Sequence, residues 1–450
     1  MGEHFDTVVI GMGPGGEVAA SRLLKAGRRV AVVEQELIGG ECAYWACIPS
    51  KTLLRSAEIN EHARRTPGVR SAQVDWAEAA QWRDTMIRGL DDRKQREDYE
   101  RRGAAVLRGR ARIAGSGRVV VGDRELDCDH IVVATGSEPM VPPIEGLEEA
   151  EVWTNREATS TTELPGRAVV IGGGPVGCEI AQYLRRFGAD VTVVELADAL
   201  VAREDPRVGA LLARGLAEEG VKIHLKTEIK CVYRDGDAHV VSLDDGTTVG
   251  CDVVIAASGR RPRTAGIGLE TVGLDATPGH PIEVDRHCRA ADGVWAVGDV
   301  TGAMPFTHVA KYQGRVAADT ILGKHRTARY DGIPRVVFTD PEIAAVGLTE
   351  EQARERGVKT VTTEIDLAET LARPWTLQKK PGGALGLIAD ADRRVLLGAW
   401  AVAPFAAEWI HQAALGVRAA IPVEVLHDQI AQFPTYAEGF QVALASLDFK

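Results

Sequence analysis

The stretch from Val8 to Glu34 aligns without a gap to Val169 to Glu195, an offset of 161, with 14 of the 27 positions identical. Each copy has an apolar strand, Thr7 to Ile10 or Ala168 to Ile171, followed by Gly-x-Gly-Pro-x-Gly. The glycines are Gly11, Gly13 and Gly16 in the first copy and Gly172, Gly174 and Gly177 in the second. A helix then runs to Gly27 or Gly188, and a second strand ends in an acid, Glu34 or Glu195. Glycine permits the tight turn and lets a pyrophosphate approach the helix N-terminus, while the acid suits ribose hydroxyls. One such motif is weak evidence. Two copies with strand before, helix after and acid at the same spacing predict two dinucleotide-binding units, the bland alternative being two glycine-rich turns that bind nothing.

A chain of 450 residues is long enough for two to four domains. Its 53 Lys and Arg against 64 Asp and Glu give a net charge of −11, which disfavours nucleic acid as a main partner. The opening Met1 to Asp6 leads straight into a strand without a charged-then-apolar signal, and no stretch reaches the roughly 18 apolar residues of a membrane span. The expectation is a cytoplasmic protein without membrane association. Seven cysteines are too thinly spread for a disulfide framework. Cys128, Cys178, Cys231, Cys251 and Cys288 read as buried small residues.

Between and after the repeats, Leu53 to Arg65 and Asp75 to Arg102 read as two long helices. The second carries an apolar packing stripe of Trp76, Ala79, Trp82, Met86 and Leu90, then a solvated charged run, Asp91 to Lys94. Ile131 to Gly136, Val253 to Gly259 and Val294 to Asp299 read as short buried strands. From Ile333 the pattern changes to strands (Val336 to Phe338, Val395 to Val402) followed by helices (Phe405 to Ala420, Val423 to Ala431), a separate α+β domain.

Cys42 and Cys47 follow the first nucleotide unit within Gly39-Gly40-Glu41-Cys42-Ala43-Tyr44-Trp45-Ala46-Cys47-Ile48-Pro49-Ser50-Lys51. A pair at this spacing is a redox couple, a metal site or two unrelated thiols, and no His or Cys cluster supports metal.

These segments, together with Ala134-Thr135-Gly136, Gly298-Asp299, Val337 to Gly347 and Pro434-Thr435-x2-Glu438, resemble the pyridine nucleotide-disulfide oxidoreductases over essentially the whole chain. That family includes dihydrolipoamide dehydrogenase, glutathione reductase and mercuric reductase. The resemblance implies an α/β fold of two Rossmann-like nucleotide-binding domains with a C-terminal α+β dimerisation domain. Residues 1–147 and 273–330 would then form the FAD-binding and central part, 148–272 the NAD(P)-binding domain and 331–450 the dimerisation domain of a homodimer with shared active sites.

It further implies that Cys47 lies against the flavin and Cys42 faces the substrate. Residues five apart on a regular helix have Cα atoms roughly 8–9 Å apart, beyond the roughly 4.4–6.8 Å of a disulfide, so the segment must leave regular helix. Lys51, one turn after Cys47, is implied to pair with Glu179 beside the flavin. Gly11, Gly13, Gly16, Glu34, Ala111, Thr135, Gly136, Asp299 and Thr307 are implied to hold FAD. Gly172, Gly174, Gly177, Glu195, Ile229 and Gly259 are implied to hold the nicotinamide nucleotide. The acid Glu195 favours NADH over NADPH by repelling a 2′-phosphate, and Arg203 is too far along the chain to read as a phosphate clamp. Pro175 stands where glutathione reductase has a gating tyrosine.

The chain also departs from the family. Phe433 occupies the position of the proton-relaying histidine, five residues before the retained Glu438. A positioned general acid or base contributes about 10²–10⁴-fold, so exchange with lipoamide or glutathione disulfide should be slow. His427 does not fill the lost position, and His308 matches a histidine seen near the flavin in lipoamide dehydrogenases. Mercuric reductase also lacks the histidine but uses a C-terminal cysteine pair, which Ala445 to Lys450 does not contain. The carboxylating ketopropyl-coenzyme M oxidoreductase is similar in its phenylalanine but replaces the glutamate as well. Bulky Tyr44 and Trp45 are expected to narrow the approach to Cys42, and Glu41 to raise its pKa by like-charge proximity. The expectation is an NADH-dependent FAD enzyme that reduces a non-standard disulfide or another small acceptor through Cys42 and Cys47. A dihydrolipoamide dehydrogenase subunit, a carboxylating or thiolate-transfer enzyme and a redox-sensing flavoprotein are the alternatives.

Overall fold

In the computed structural model, residues 3–70 and 73–449 are described; Met1, Gly2 and Lys450, which the sequence reading includes at its two ends, lie outside them. The chain forms two compact units, each gathered from three segments. One contains Met1–Pro49, Gln81–Met140 and Gly259–Arg329, and the other contains Ser50–Ala80, Val141–Ser258 and Tyr330–Lys450.

The first unit is built on a sheet whose central strands run parallel. Glu3–Ile10 lies between Arg124–Val133 and Val30–Glu34, with Ala105–Arg108 beyond the latter and Val294–Ala296 on the far side of Arg124–Val133. Val8, Val9, Ile131, Val132 and Ala296 are almost wholly buried. Continuous apolar strands of this kind fit a parallel sheet covered on both faces.

The second unit repeats the arrangement. Arg167–Ile171 lies between Asp190–Val194 and Val253–Ala256, flanked by Lys222–His224 and Val152–Trp153, all parallel. The registers match as well as the order. Thr7 faces Val30 and Val8 faces Ala31, while Ala168 faces Val191 and Val169 faces Thr192. Thus the offset of 161 carries over from sequence to strand pairing.

The C-terminal segment of the second unit is an antiparallel sheet. Its order is Pro334–Val337, Glu342–Gly347, Leu396–Ala403, Ala384–Asp390, Thr360–Asp366. Ile343, Ala345, Ile388 and Trp400 join the same buried core as Val170, Tyr183 and Leu184 of the second nucleotide unit. Two of these five strands are expected from the sequence. Ala384–Asp390 is not, because its unbroken burial removes the polar alternation that marks a half-exposed strand. The helix expected to reach Ala431 ends at His427.

Three further expectations change. The helix after the thiols starts at Cys47, not Leu53, and runs to Arg65, with Pro49 tolerated in its first turn. Asp75 to Arg102 is not one helix: Trp76–Met86 and Arg93–Arg101 are separated by Arg88, Gly89 and Leu90, each at φ 58°. Of the expected stripe, Trp82, Met86 and Leu90 are exposed instead of packed. Nor is the charged run all solvated. Asp92 is buried, accepting hydrogen bonds from Ile38 N at 2.8 Å and Arg108 Nη2 at 2.6 Å.

Among the described residues no helix is long and apolar enough to cross a membrane.

Candidate active site

The two glycine turns have the same internal logic. A Cβ on Gly11 would meet Ala134 O at 2.4 Å and one on Gly16 would meet Gly11 O at 2.0 Å, so both positions require glycine for packing. The middle residue differs: a Cβ on Gly13 would meet nothing within 4 Å. In the second turn Gly172 and Gly177 are confined in the same way, by Ala257 O and Gly172 O, and Gly174 is open. The helices Pro14–Lys25 and Pro175–Phe187 both begin with proline and without a capping side chain, so their first amides face that open space. This cradle fits a dinucleotide pyrophosphate.

Each acid is tied back to its own turn. Glu34 accepts from Met12 N (2.7 Å) and Glu36 N (2.8 Å), and Glu195 accepts from Gly173 N (2.6 Å) and Ala197 N (2.7 Å). Burial lifts the Glu34 carboxyl above its ordinary range, and the two amides only partly offset that. Ala111 and Ile229 are buried core residues without polar side-chain atoms, so only their backbone is available to a nucleotide.

The thiol segment leaves regular helix as the spacing requires. A short helix, Gly40–Tyr44, ends at Trp45 (φ −133°, ψ 0°), where Trp45 N and Ala46 N both donate to Glu41 O, and a new helix starts at Cys47. The break brings the two sulfurs together: Cys42 and Cys47 are thiols in hydrogen-bond contact. Cys47 Sγ also lies 3.4 Å from Thr307 Oγ1, at the start of the helix Thr307–Ile321. The Cys42 thiol is pushed far above the usual thiol range, first by its hydrogen bond with Cys47 and then by burial, while Thr307 and Lys311 pull the other way.

Two expectations about this segment are corrected. Tyr44 does not crowd the thiols; it is fully buried, its hydroxyl donating to Ile38 O at 3.2 Å. Glu41 does not act on Cys42 as a bare charge, because Arg263 Nη2 and Arg260 Nη2 lie 3.4 and 3.7 Å from its carboxylate.

Those arginines organise several other candidate residues in the first unit. Arg260 donates to Ser137 Oγ (2.8 Å), which donates to Asp299 Oδ2 (2.6 Å). Arg263 N donates to Gly136 O (2.9 Å), and Arg263 O accepts from Thr135 Oγ1 (2.7 Å). Gly259 O accepts from Met140 N at 2.9 Å. Thr135, Gly136, Asp299 and Gly259 are therefore drawn together through Ser137, Arg260 and Arg263, three residues that the sequence reading does not single out. Arg260 and Arg263 sit just past a strand ending in glycine, the one signal that pointed to them.

In the second unit Lys51 Nζ lies 2.6 Å from Glu179 Oε2 and 4.8 Å from the centre of the Phe338 ring. Glu179 Oε1 accepts from Phe338 N at 2.9 Å. Pro175 and Arg203 are exposed. His308 stacks on Phe306 with ring centres 5.2 Å apart. Phe433 is 75% exposed, and His427 is exposed at the end of its helix. Glu438 accepts from Thr435 N at 3.1 Å. Among the described residues no group of three or more His, Cys, Asp or Glu side chains is placed to hold a metal ion.

Comparison with known proteins matches residues 5–314 to the family described as pyridine nucleotide-disulphide oxidoreductase, and residues 333–444 to the dimerisation domain of that family. The chain is similar to a dihydrolipoyl dehydrogenase of Thermus scotoductus, with 35% identity over 98% of this chain and 97% of the relative. It is also similar to a mercuric reductase of Streptomyces lividans, with 33% identity over 98% and 95%. Among solved structures it resembles the Cu(II) complex of the HOCl-induced flavoprotein disulfide reductase RclA from Escherichia coli, with 29% identity, a TM-score of 0.87 and 99% of both chains covered. LpdA from Mycobacterium tuberculosis is similar at 29% identity and a TM-score of 0.88, over 98% of this chain and 99% of that one.

Proposed function

This chain belongs to the pyridine nucleotide-disulphide oxidoreductase family, a family of FAD-dependent flavoproteins, and from that premise we propose that it carries electrons from NADH through Cys42 and Cys47 to a small acceptor other than lipoamide or glutathione disulfide. The observation that carries the reading is the contact of the two thiols beside Thr307 in a chain with phenylalanine at position 433. FAD when bound supplies two-electron hydride chemistry. The first glycine turn and Glu34 would hold its adenosine and pyrophosphate, with Thr135, Gly136 and Asp299 along the chain of the cofactor. Two electrons and one proton break a Cys42–Cys47 disulfide to one thiol and one thiolate, and the reverse step delivers the same two electrons to the acceptor. Cys47 keeps the negative charge on the flavin side, and Cys42 attacks the acceptor.

Glu195 supports NADH over NADPH, since a carboxylate already bonded to two amides repels a ribose 2′-phosphate. Residues 148–272 serve as the NAD(P)-binding domain, 1–147 with 273–330 as the FAD-binding and central part, and 331–450 as the interface of a cytoplasmic homodimer whose active sites are shared. The chain carries the dimerisation domain of its family, and its net charge of −11 fits no nucleic-acid role.

The acceptor is an apolar disulfide, a quinone, a carbonyl compound or a thiophilic metal ion. The named relatives, a mercuric reductase and a reductase solved with Cu(II), bring metal ions into that set. The dihydrolipoyl dehydrogenase relative supports a second reading, a subunit of an oxoacid dehydrogenase complex, against which Phe433 stands. Anaerobic NADH titration followed by an acceptor panel with lipoamide, quinones, Hg(II) and Cu(II) tests both. Absence of a long-wavelength absorbance on reduction would remove the thiol couple, and fast lipoamide turnover would favour the second reading.

A further inference from the structure

An outer thiol attacks an acceptor only as thiolate, yet Cys42 is held protonated by its contact with Cys47 and by burial. The side chain at position 433 is a phenyl ring and offers Cys42 neither charge nor proton. We propose that Lys311 is the fixed cation that stabilises the Cys42 thiolate in this chain, a positioning role on the outer thiol that the missing imidazole leaves open. The inference rests on the thiol-couple reading above.

The helix Thr307–Ile321 starts at the thiols, with Thr307 Oγ1 3.4 Å from Cys47 Sγ. Lys311 lies four residues later, one turn along, and so shares the face of Thr307, with Cβ atoms roughly 5–6 Å apart. Its four-carbon stem is long enough to carry the ammonium back toward the sulfurs. The same helix presents its N-terminus to Cys47, and the partial positive charge there favours a thiolate as well. Of the charged neighbours acting most strongly on Cys42, Cys47 opposes ionisation and Lys311 favours it.

A second helix packs against the one that carries the lysine. Pro14–Lys25 packs so closely on Thr307–Ile321 that a Cβ on Gly314 would come within 2.4 Å of Gly15 O. It carries Glu17, a largely buried acid lifted above its ordinary range by burial and drawn back by Lys311 and then Arg88, with Glu34 adding to the rise. Lys311 thus acts on an acid of the neighbouring helix as well as on the thiols that meet the start of its own. The other charges next to Cys42 are engaged elsewhere, since Glu41 faces Arg260 and Arg263. Lys311 is itself solvent-exposed, so replacing it removes a charge and little packing.

The test uses the full-length, FAD-loaded protein, reduced anaerobically with NADH, and follows iodoacetamide alkylation of Cys42 by peptide mass spectrometry from pH 6 to 10. Lys311→Met should slow alkylation at neutral pH about threefold to tenfold and move the profile to higher pH, as loss of one neighbouring cation requires. Lys311→Arg should restore it and Lys311→Glu should slow it further. In the unaltered protein, added salt should move the profile in the same direction by screening an exposed charge. Superimposable profiles for Lys311→Met and the unaltered protein, or an arginine variant no better than methionine, overturn the proposal. Failure of NADH to expose alkylatable thiols in the unaltered protein overturns the thiol-couple reading instead.

Discussion

Lys51 and Glu179 form a 2.6 Å ion pair that joins the helix beginning at Cys47 to the helix that opens from the second glycine turn. Glu179 is buried, and its second oxygen takes the amide of Phe338. One carboxylate therefore satisfies a cation on one element and a backbone donor on another. Glu179→Ala leaves both partners without it, a loss of about 1–3 kcal/mol by the usual cost of a buried donor left unmade. The thermal midpoint should fall by several degrees, while Glu179→Gln, which keeps an acceptor for Phe338 N, should fall less. Differential scanning calorimetry of the two variants checks the order.

Replacing Phe433 by histidine restores an imidazole five residues before Glu438, itself bonded to Thr435 N. Lipoamide reduction by NADH should rise at least tenfold, within the 10²–10⁴-fold that general acid–base catalysis typically contributes. Unchanged, feeble turnover would mean that the lost relay does not restrict the acceptor.

The two thiols should be separable by spectroscopy. Cys47→Ser should abolish the long-wavelength absorbance expected on reduction by NADH, because the proposed function puts Cys47 on the flavin side. Cys42→Ser, which cannot form the disulfide, should show that absorbance with oxidised flavin before any reductant is added, yet lose turnover with every acceptor. Equal loss of the band in both variants would assign the charge to the pair rather than to Cys47.

Glu342 supplies a pH test away from the thiols. Burial pushes its carboxyl up to about 7, with Glu58, Glu408 and Asp340 adding to the rise and a hydrogen bond from Ala407 N opposing it. The folded value is above the unfolded one, so this group contributes stability in full below pH of about 4.5 and loses it as pH rises through 7. Glu342→Gln keeps the neutral form at every pH. The variant should match the parent near pH 5 and exceed it by about 1–2 kcal/mol at pH 8.5, read from thermal midpoints at the two pH values. Asp340 behaves oppositely: burial opposes its ionisation, but His62, Arg186 and Arg65 hold it well below the carboxylate range, so its contribution is lost only as pH falls.

What sequence shows and what it hides divides along chain distance. The turns Gly11–Gly16 and Gly172–Gly177 were legible because steric demands inside a few residues select glycine, and the repeat confirmed each turn by the other. The departure from helix between Cys42 and Cys47 followed from covalent reach once the resemblance implied a disulfide between them. The break at Arg88 to Leu90 was hidden because only Gly89 signals it, and a lone glycine is tolerated in many helices.

By itself, then, the sequence determined the duplicated nucleotide unit, the sulfur spacing, and the phenyl group where an imidazole is usual. Each is a local or periodic property, fixed by residues close together in the chain. Tertiary structure decided which charges surround the sulfurs. Glu41 meets Arg260 and Arg263 more than 200 residues away, and Cys42 feels Lys311 at a similar remove. Electrostatic influence depends on distance in space through a poorly screening interior, and that distance exists only once the helix Thr307–Ile321 has packed on Pro14–Lys25.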